Sequence, residues 1–154
     1  SGFLYLVLQL CGGGELSMWL ENQPGPYTER TAARITYDML QALLCCHERG
    51  IIHRDVKPQN VLFTGEDSSA LLKLVDLGLA IRREPSDPLL KEVCGTLDYM
   101  APEMLNEAYD EKVDIWAVGV LLYVLLSGHH PFRGPSEAAT QERIRAAAFK
   151  FEGA

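Results

Sequence analysis

An α+β fold, mainly helical, is what this 154-residue sequence predicts. Three observations carry that reading. Residues 28–50 place apolar side chains at helical spacing. Residues 51–75 hold short apolar runs of strand type, separated by polar segments. Residues 113–126 are apolar nearly all round, the pattern of a helix at the centre of a core.

The elements follow in order. Phe3 to Leu10 is rich in Leu, Val and aromatics and reads as a buried strand, ended by Gly12-Gly13-Gly14. Glu15 to Glu21 forms a short helix, closed by the breaker run Asn22-Gln23-Pro24-Gly25-Pro26. Thr28 then caps a long helix, with Glu29 in its favoured first turn. Ile35, Met39, Leu43 and Cys46, with Leu40 and Leu44, make its apolar face, and Gly50 is its C′ residue. Ile51-Ile52 is a short strand before the polar stretch His53 to Asn60. Val61 to Thr64 and Leu71 to Val75 flank a hairpin turn at residues 65–69. Asp76 to Tyr99 is irregular, and loops of that length in a compact domain are usually functional or mobile. Val113 to Leu126 is the core helix, broken by His129-His130-Pro131. Ser136 caps a last amphipathic helix running to about Ala148.

Composition excludes several classes. A hydrophobic fraction of 47% with 23% charged residues is not that of a disordered tail, a collagen-like chain or a disulfide mini-protein. The 21 acidic against 14 basic side chains leave a net charge of −7, so there is no general basic footprint for nucleic acid or an anionic membrane. The longest apolar run, Ile115 to Leu126, is shorter than the roughly 18–20 residues of a bilayer span. The four cysteines form no C-x-x-C pair, which points away from zinc and toward reduced thiols in the cytoplasm or nucleus. With no initiator Met and no positive region ahead of Phe3, the start reads as a cut through something longer rather than a signal peptide.

The chemistry is concentrated in the middle of the chain. His53-Arg54-Asp55-Val56-Lys57-Pro58-Gln59-Asn60 is followed by Asp76-Leu77-Gly78, then Ala101-Pro102-Glu103, then Asp114-Ile115-Trp116-Ala117-Val118-Gly119. In that order the set resembles the protein kinase family, serine/threonine branch, whose signatures are H-R-D-L-x-x-x-N, D-F-G and A-P-E. Any one triplet is weak evidence; four in order, each beside the element the family requires, are specific. Parts resemble the calcium/calmodulin-dependent group (Asp114 to Phe132) and parts the Aurora-type kinases (Cys94 to Asp114).

The resemblance implies the large lobe of a kinase, with a hinge at 8–14, a catalytic loop at 53–60 and an activation segment at 76–103, truncated at both ends and without the small lobe. It implies ATP and Mg²⁺ as cofactors and a Ser/Thr hydroxyl of a protein as acceptor. Asp55 would be the base that orients this hydroxyl and takes its proton late, since an ordinary Asp pKa of about 3.9 is too low for early abstraction. Lys57, held extended by Pro58, would balance charge on the moving phosphoryl group. Thr96 would bridge Asp55 and Lys57. Asn60 and Asp76 would supply hard oxygens to the metal, with Gly78 giving backbone freedom beside it. Leu8 would guard the back of the adenine pocket, Gln9 to Cys11 would bond adenine, Glu15 would meet the ribose and Leu62 would form the floor. Gly95-Thr96 and Tyr99 to Glu103 look like the peptide-docking loop, and Asp114 like the buried carboxylate that holds the catalytic-loop backbone. His53 is a packing residue; His47, His129 and His130 read as surface or loop residues.

The departures also inform. Leu77 replaces the usual Phe and Leu97 a frequent proline. No Gly-rich phosphate loop and no strand lysine appears, and Glu103 has no family arginine to pair with. Glu92 stands where many relatives carry a phosphorylatable threonine, so it is expected to pair with Arg54. The leading function is an ATP-dependent protein serine/threonine kinase, the fragment alone being inactive. The alternative is a pseudokinase-like or truncated lobe that scaffolds other proteins, and a metabolic small-molecule kinase is disfavoured by the peptide-loop match.

Overall fold

The computed structural model describes residues 2–3, 5–22, 25–65 and 70–151. Among the described residues there are five helices: α1 (Leu16–Asn22), α2 (Glu29–His47), α3 (Pro102–Leu105), α4 (Lys112–Ser127) and α5 (Glu137–Arg145). Four short strands form two antiparallel pairs: β1 (Ile51–Ile52) with β4 (Ile81–Arg82), and β2 (Val61–Phe63) with β3 (Leu72–Leu74). Single 3-10 turns sit at Pro58–Asn60 and Leu97–Tyr99.

Two of the helices, α2 and α5, start at side-chain caps. Thr28 is extended, and its Oγ1 accepts the Thr31 N–H, satisfying one of the orphan donors of α2. Ser136 does the same for α5 by accepting the Ala139 N–H. Ala32, Ile35, Met39 and Leu43 line the buried face of α2 and meet Val118, Leu121 and Leu125 of α4. The α4 helix is sheathed on most sides, which is why its sequence shows little polarity. It ends at Gly128, whose φ of 79° gives the left-handed cap, one residue before the His129-His130-Pro131 break expected from sequence. The last helix stops at Arg145 rather than Ala148, where Ala147 turns to a φ of 46°.

The hairpin of β2 and β3 is in the register Val61↔Leu74, Leu62↔Lys73, Phe63↔Leu72. Of its turn, residues 66–69 lie outside the described residues, as do Gln23 and Pro24 of the breaker after α1.

One expected element is corrected. The described residues between 2 and 10 form no strand, and Phe3, Tyr5, Leu6, Val7, Leu8 and Leu10 are exposed rather than buried. A strand exists only where a ladder takes up its N–H and C=O groups. Among the described residues the first backbone bonds to the rest of the fold come from Gly12 and Gly13, to Thr64 and Phe63.

Candidate active site

Asp114 organises the site from beneath. It sits in the first turn of α4, is 1% exposed, and accepts the His53 N–H at Oδ2 and the Arg54 N–H at Oδ1, both at 2.9 Å. His47 Nε2, from the last turn of α2, reaches the same Oδ2 at 2.8 Å. A buried carboxylate is costly without partners, and these three satisfy it. The bonds pin Arg54 at a φ of 67°, a left-handed conformation that a non-glycine residue adopts only when its surroundings enforce it.

His53 is fully buried and braces the next peptide. Its Nδ1 accepts the Asp55 N–H at 3.3 Å, so Nε2 carries the proton and donates to Val75 O at 3.0 Å. Val75 N–H in turn donates to Asn60 O at 2.9 Å, which ties the segment before Asp76 to the end of the 53–60 loop.

The polar side chains meet above this floor. Thr96 Oγ1–H donates to Asp55 Oδ1 at 2.8 Å, and Lys57 Nζ donates to Thr96 Oγ1 at 2.9 Å. Lys57 Nζ also lies 2.8 Å from Asp55 Oδ2. Asn60 Nδ2 donates to Asp55 O at 2.8 Å and to Oδ2 at 3.1 Å. Burial raises the Asp55 carboxyl, but bonds from Lys57, Thr96 and Asn60 outweigh it and leave the group below its ordinary pKa. Asp55 is therefore a charged, preoriented acceptor at neutral pH. The approach of Thr96 depends on Gly95, with a φ of 96°: a Cβ there would stand 2.4 Å from Arg54 O.

Asp76 is exposed, has a φ of 64°, and accepts the Gly78 N–H at Oδ1 at 3.0 Å. The freedom expected of Gly78 is thus located at Asp76 instead. What Gly78 supplies is space, since a Cβ on it would meet Asp76 Oδ1 at 2.9 Å. Leu77, which stands in place of the usual Phe, is 56% exposed and is not packed into the lobe. Among the described residues no three His, Cys, Asp or Glu side chains gather into a metal site. Asn60 and Asp76 together suit a hard cation that takes most of its ligands from phosphate and water, which is the habit of Mg²⁺.

The expected nucleotide contacts are split. Glu15 and Leu62 face each other as an antiparallel bridge, and Ser17 Oγ–H donates to Glu15 Oε2 at 2.6 Å. Cys11 is partly buried, its thiol directed at Gln9 O at 3.9 Å. Leu8 is 75% exposed and Gln9 is exposed, so the structure does not bring these two into a pocket with Leu62.

The irregular segment is fastened at several points. Arg54 Nη1 donates to Glu92 Oε2 at 2.9 Å, the pairing expected from the position of Glu92, and Arg54 Nε donates to Leu79 O at 2.6 Å. Tyr109, 1% exposed, donates its hydroxyl to Glu92 O at 2.6 Å and accepts Arg54 Nη1 at 3.2 Å. Leu90 and Tyr109 exchange both backbone bonds. Sequence reasoning missed Tyr109 and His47. The signal for His47 was its place four residues after Leu43 on the buried stripe of α2, where a polar residue needs a buried partner.

A mainly helical body with a short hairpin, a loop held from below by a helix carboxylate and a long segment folded back across it has the architecture of a protein kinase large lobe. The chain belongs to the protein kinase domain family, which matches residues 1–152. It is similar to calcium-dependent protein kinase 21 of Oryza sativa subsp. japonica, with 41% identity over 98% of this chain and 26% of the relative. Calcium-dependent protein kinase 24 of Arabidopsis thaliana is 41% identical over 97% of this chain and 25% of the relative. CDPK-related kinase 5 of Arabidopsis thaliana is 40% identical over 88% of this chain and 22% of the relative. The chain spans about a quarter of the length of these relatives.

Proposed function

We propose that this chain is the catalytic, substrate-docking part of an ATP-dependent protein serine/threonine kinase. The observation that carries the reading is the convergence of Lys57, Thr96 and Asn60 on the single carboxylate of Asp55. An acceptor hydroxyl would take the place of one of these donors at Asp55, be oriented by it, and lose its proton to it late in the transfer. Lys57 would then face the phosphoryl oxygens as a compact charge. Thr96 holds the carboxylate and the ammonium at fixed spacing, and a lysine rather than an arginine at 57 favours a Ser/Thr acceptor over tyrosine.

Asn60 and Asp76 are the residues that would hold Mg²⁺, which when bound neutralises charge on the phosphate oxygens. Glu15 and Leu62 are assigned to ribose and adenine. The segment 95–103 is assigned to the acceptor peptide. The four cysteines are free, which favours a reducing compartment, cytoplasm or nucleus. Among the described residues no helix is long and apolar enough to cross a membrane.

The test is phosphate transfer from labelled ATP to casein by the full-length protein beside Asp55→Asn. Transfer is expected to fall by about a thousandfold, in line with loss of a positioned base together with its orienting role. Equal transfer by both would overturn the assignment and leave the scaffold reading.

A further inference from the structure

We propose that Trp19 is the positioning residue of the nucleotide site, fixing the register in which residues 12–15 cross β2. The proposal rests on the kinase reading above.

The crossing is tight. Gly13 N–H donates to Phe63 O at 2.9 Å, Gly12 N–H to Thr64 O at 3.3 Å, and Phe63 N–H to Gly14 O at 3.0 Å. A Cβ on Gly13 would lie 2.1 Å from Gly65 O and 2.7 Å from Phe63 Cβ, so two backbones touch there. Trp19 holds both. Its indole N–H donates to Gly13 O at 3.1 Å, and its ring stacks on Phe63 with centroids 4.4 Å apart and 28° between planes. It projects from α1, whose Leu16 is fully buried, so the clamp has a fixed base.

Register has a direct chemical consequence here. Along β2 the side chains alternate, so Phe63 takes the Trp19 side and Leu62, opposite Glu15, takes the other. A slip of residues 12–15 by one position would move Glu15 from its place opposite Leu62 and separate the two groups assigned to the nucleotide. Stacking on Phe63 selects the productive pairing, and the bond to Gly13 O holds the carbonyl of the residue whose own N–H is already engaged by Phe63 O. Trp19 acts on nucleotide affinity through Gly13 and Leu62, without a part in the transfer itself.

The experiment uses the full-length protein with MgATP and casein, comparing wild type, Trp19→Phe (ring kept, N–H lost) and Trp19→Leu (both lost). In Trp19→Phe the KM for ATP is expected to rise about five- to tenfold, the worth of one hydrogen bond, with kcat and the casein KM unchanged within about twofold. Trp19→Leu is expected to show a larger rise of the same kind. Amide exchange should quicken at residues 12–15 and 61–64 in Trp19→Phe and stay unchanged in α4. An unchanged ATP KM, or a fall confined to kcat, overturns the proposal. So does loss of folding in Trp19→Phe, because the side chain would then serve stability alone. A wild-type protein that binds no ATP defeats the kinase reading itself, whereas equal ATP binding by wild type and Trp19→Phe defeats only the role of Trp19.

Discussion

His47 Nε2 and Asp114 Oδ2 are 2.8 Å apart, and that contact couples the end of one helix to the start of another and, through Asp114, to the backbone of His53 and Arg54. Removing the imidazole leaves Asp114 with two N–H partners in a buried site. His47→Leu is expected to lower stability by about 1–2 kcal/mol, and Asp114→Ala, which releases the loop, by about 3 kcal/mol. Urea unfolding of the two variants measures this. A His47→Leu protein as stable as wild type would show that the contact contributes nothing.

Gly95 is the second pressure point. Its φ of 96° and the 2.4 Å approach that a Cβ would make to Arg54 O both oppose any side chain. Gly95→Ala is expected to cost about 2–3 kcal/mol and to push Thr96 out of reach of Asp55. Thermal unfolding and phosphate transfer should fall together. Wild-type behaviour in both would mean that the segment can be repositioned freely.

Glu92 and Arg54 form an unequal pair, the Arg54 side chain 7% exposed and the Glu92 side chain 70% exposed. Such a pair contributes less than about 1 kcal/mol, so Glu92→Gln is expected to reduce transfer by no more than about fivefold and global stability hardly at all. The reduction should be the same whether or not Ser86 is phosphorylated. Full activity in Glu92→Gln combined with a requirement for phosphate on Ser86 would contradict the ordering role of the carboxylate.

His130 makes stability depend on pH. Burial, and after it the Arg133 charge, hold its imidazole below the ordinary value of 6.5, against a smaller opposite pull from Asp98. Its ring also packs edge-on to Tyr99 at 5.2 Å. A histidine depressed on folding is neutral in both states well above that value and binds its proton first in the unfolded chain below it. Its stabilising contribution is therefore complete above about pH 6.5 and is lost as pH falls from there toward the folded value. Urea midpoints at pH 7.5 and 5.5 should differ more for wild type than for His130→Gln; an equal difference would exclude His130 as the source.

How much of this was legible in the sequence depends on the range of the interaction. The caps at Thr28 and Ser136 are local and were read correctly, as were the paired runs of β2 and β3. The stretch from Phe3 to Leu10 was misread because its composition favours a strand, while strand formation depends on a neighbour that composition does not reveal. The Arg54–Glu92 pair was reachable because both positions count from fixed motifs. His47 was missed although its place on the buried stripe of α2 asks for a partner, because that partner, Asp114, lies 67 residues further on and no motif links the two positions. The left-handed backbones of Arg54 and Asp76 were hidden because neither residue is a glycine, and for Arg54 the bond that holds it comes from Asp114, 60 residues away.

Those two backbones set a limit on engineering. Glycine at 54 or 76 would relax the main chain and raise thermal tolerance by the criterion of torsional comfort, yet it would delete the guanidinium that gathers the segment or the carboxylate that accepts the Gly78 N–H. Selection for a hardier molecule and selection for a working one therefore pull in opposite directions at these positions.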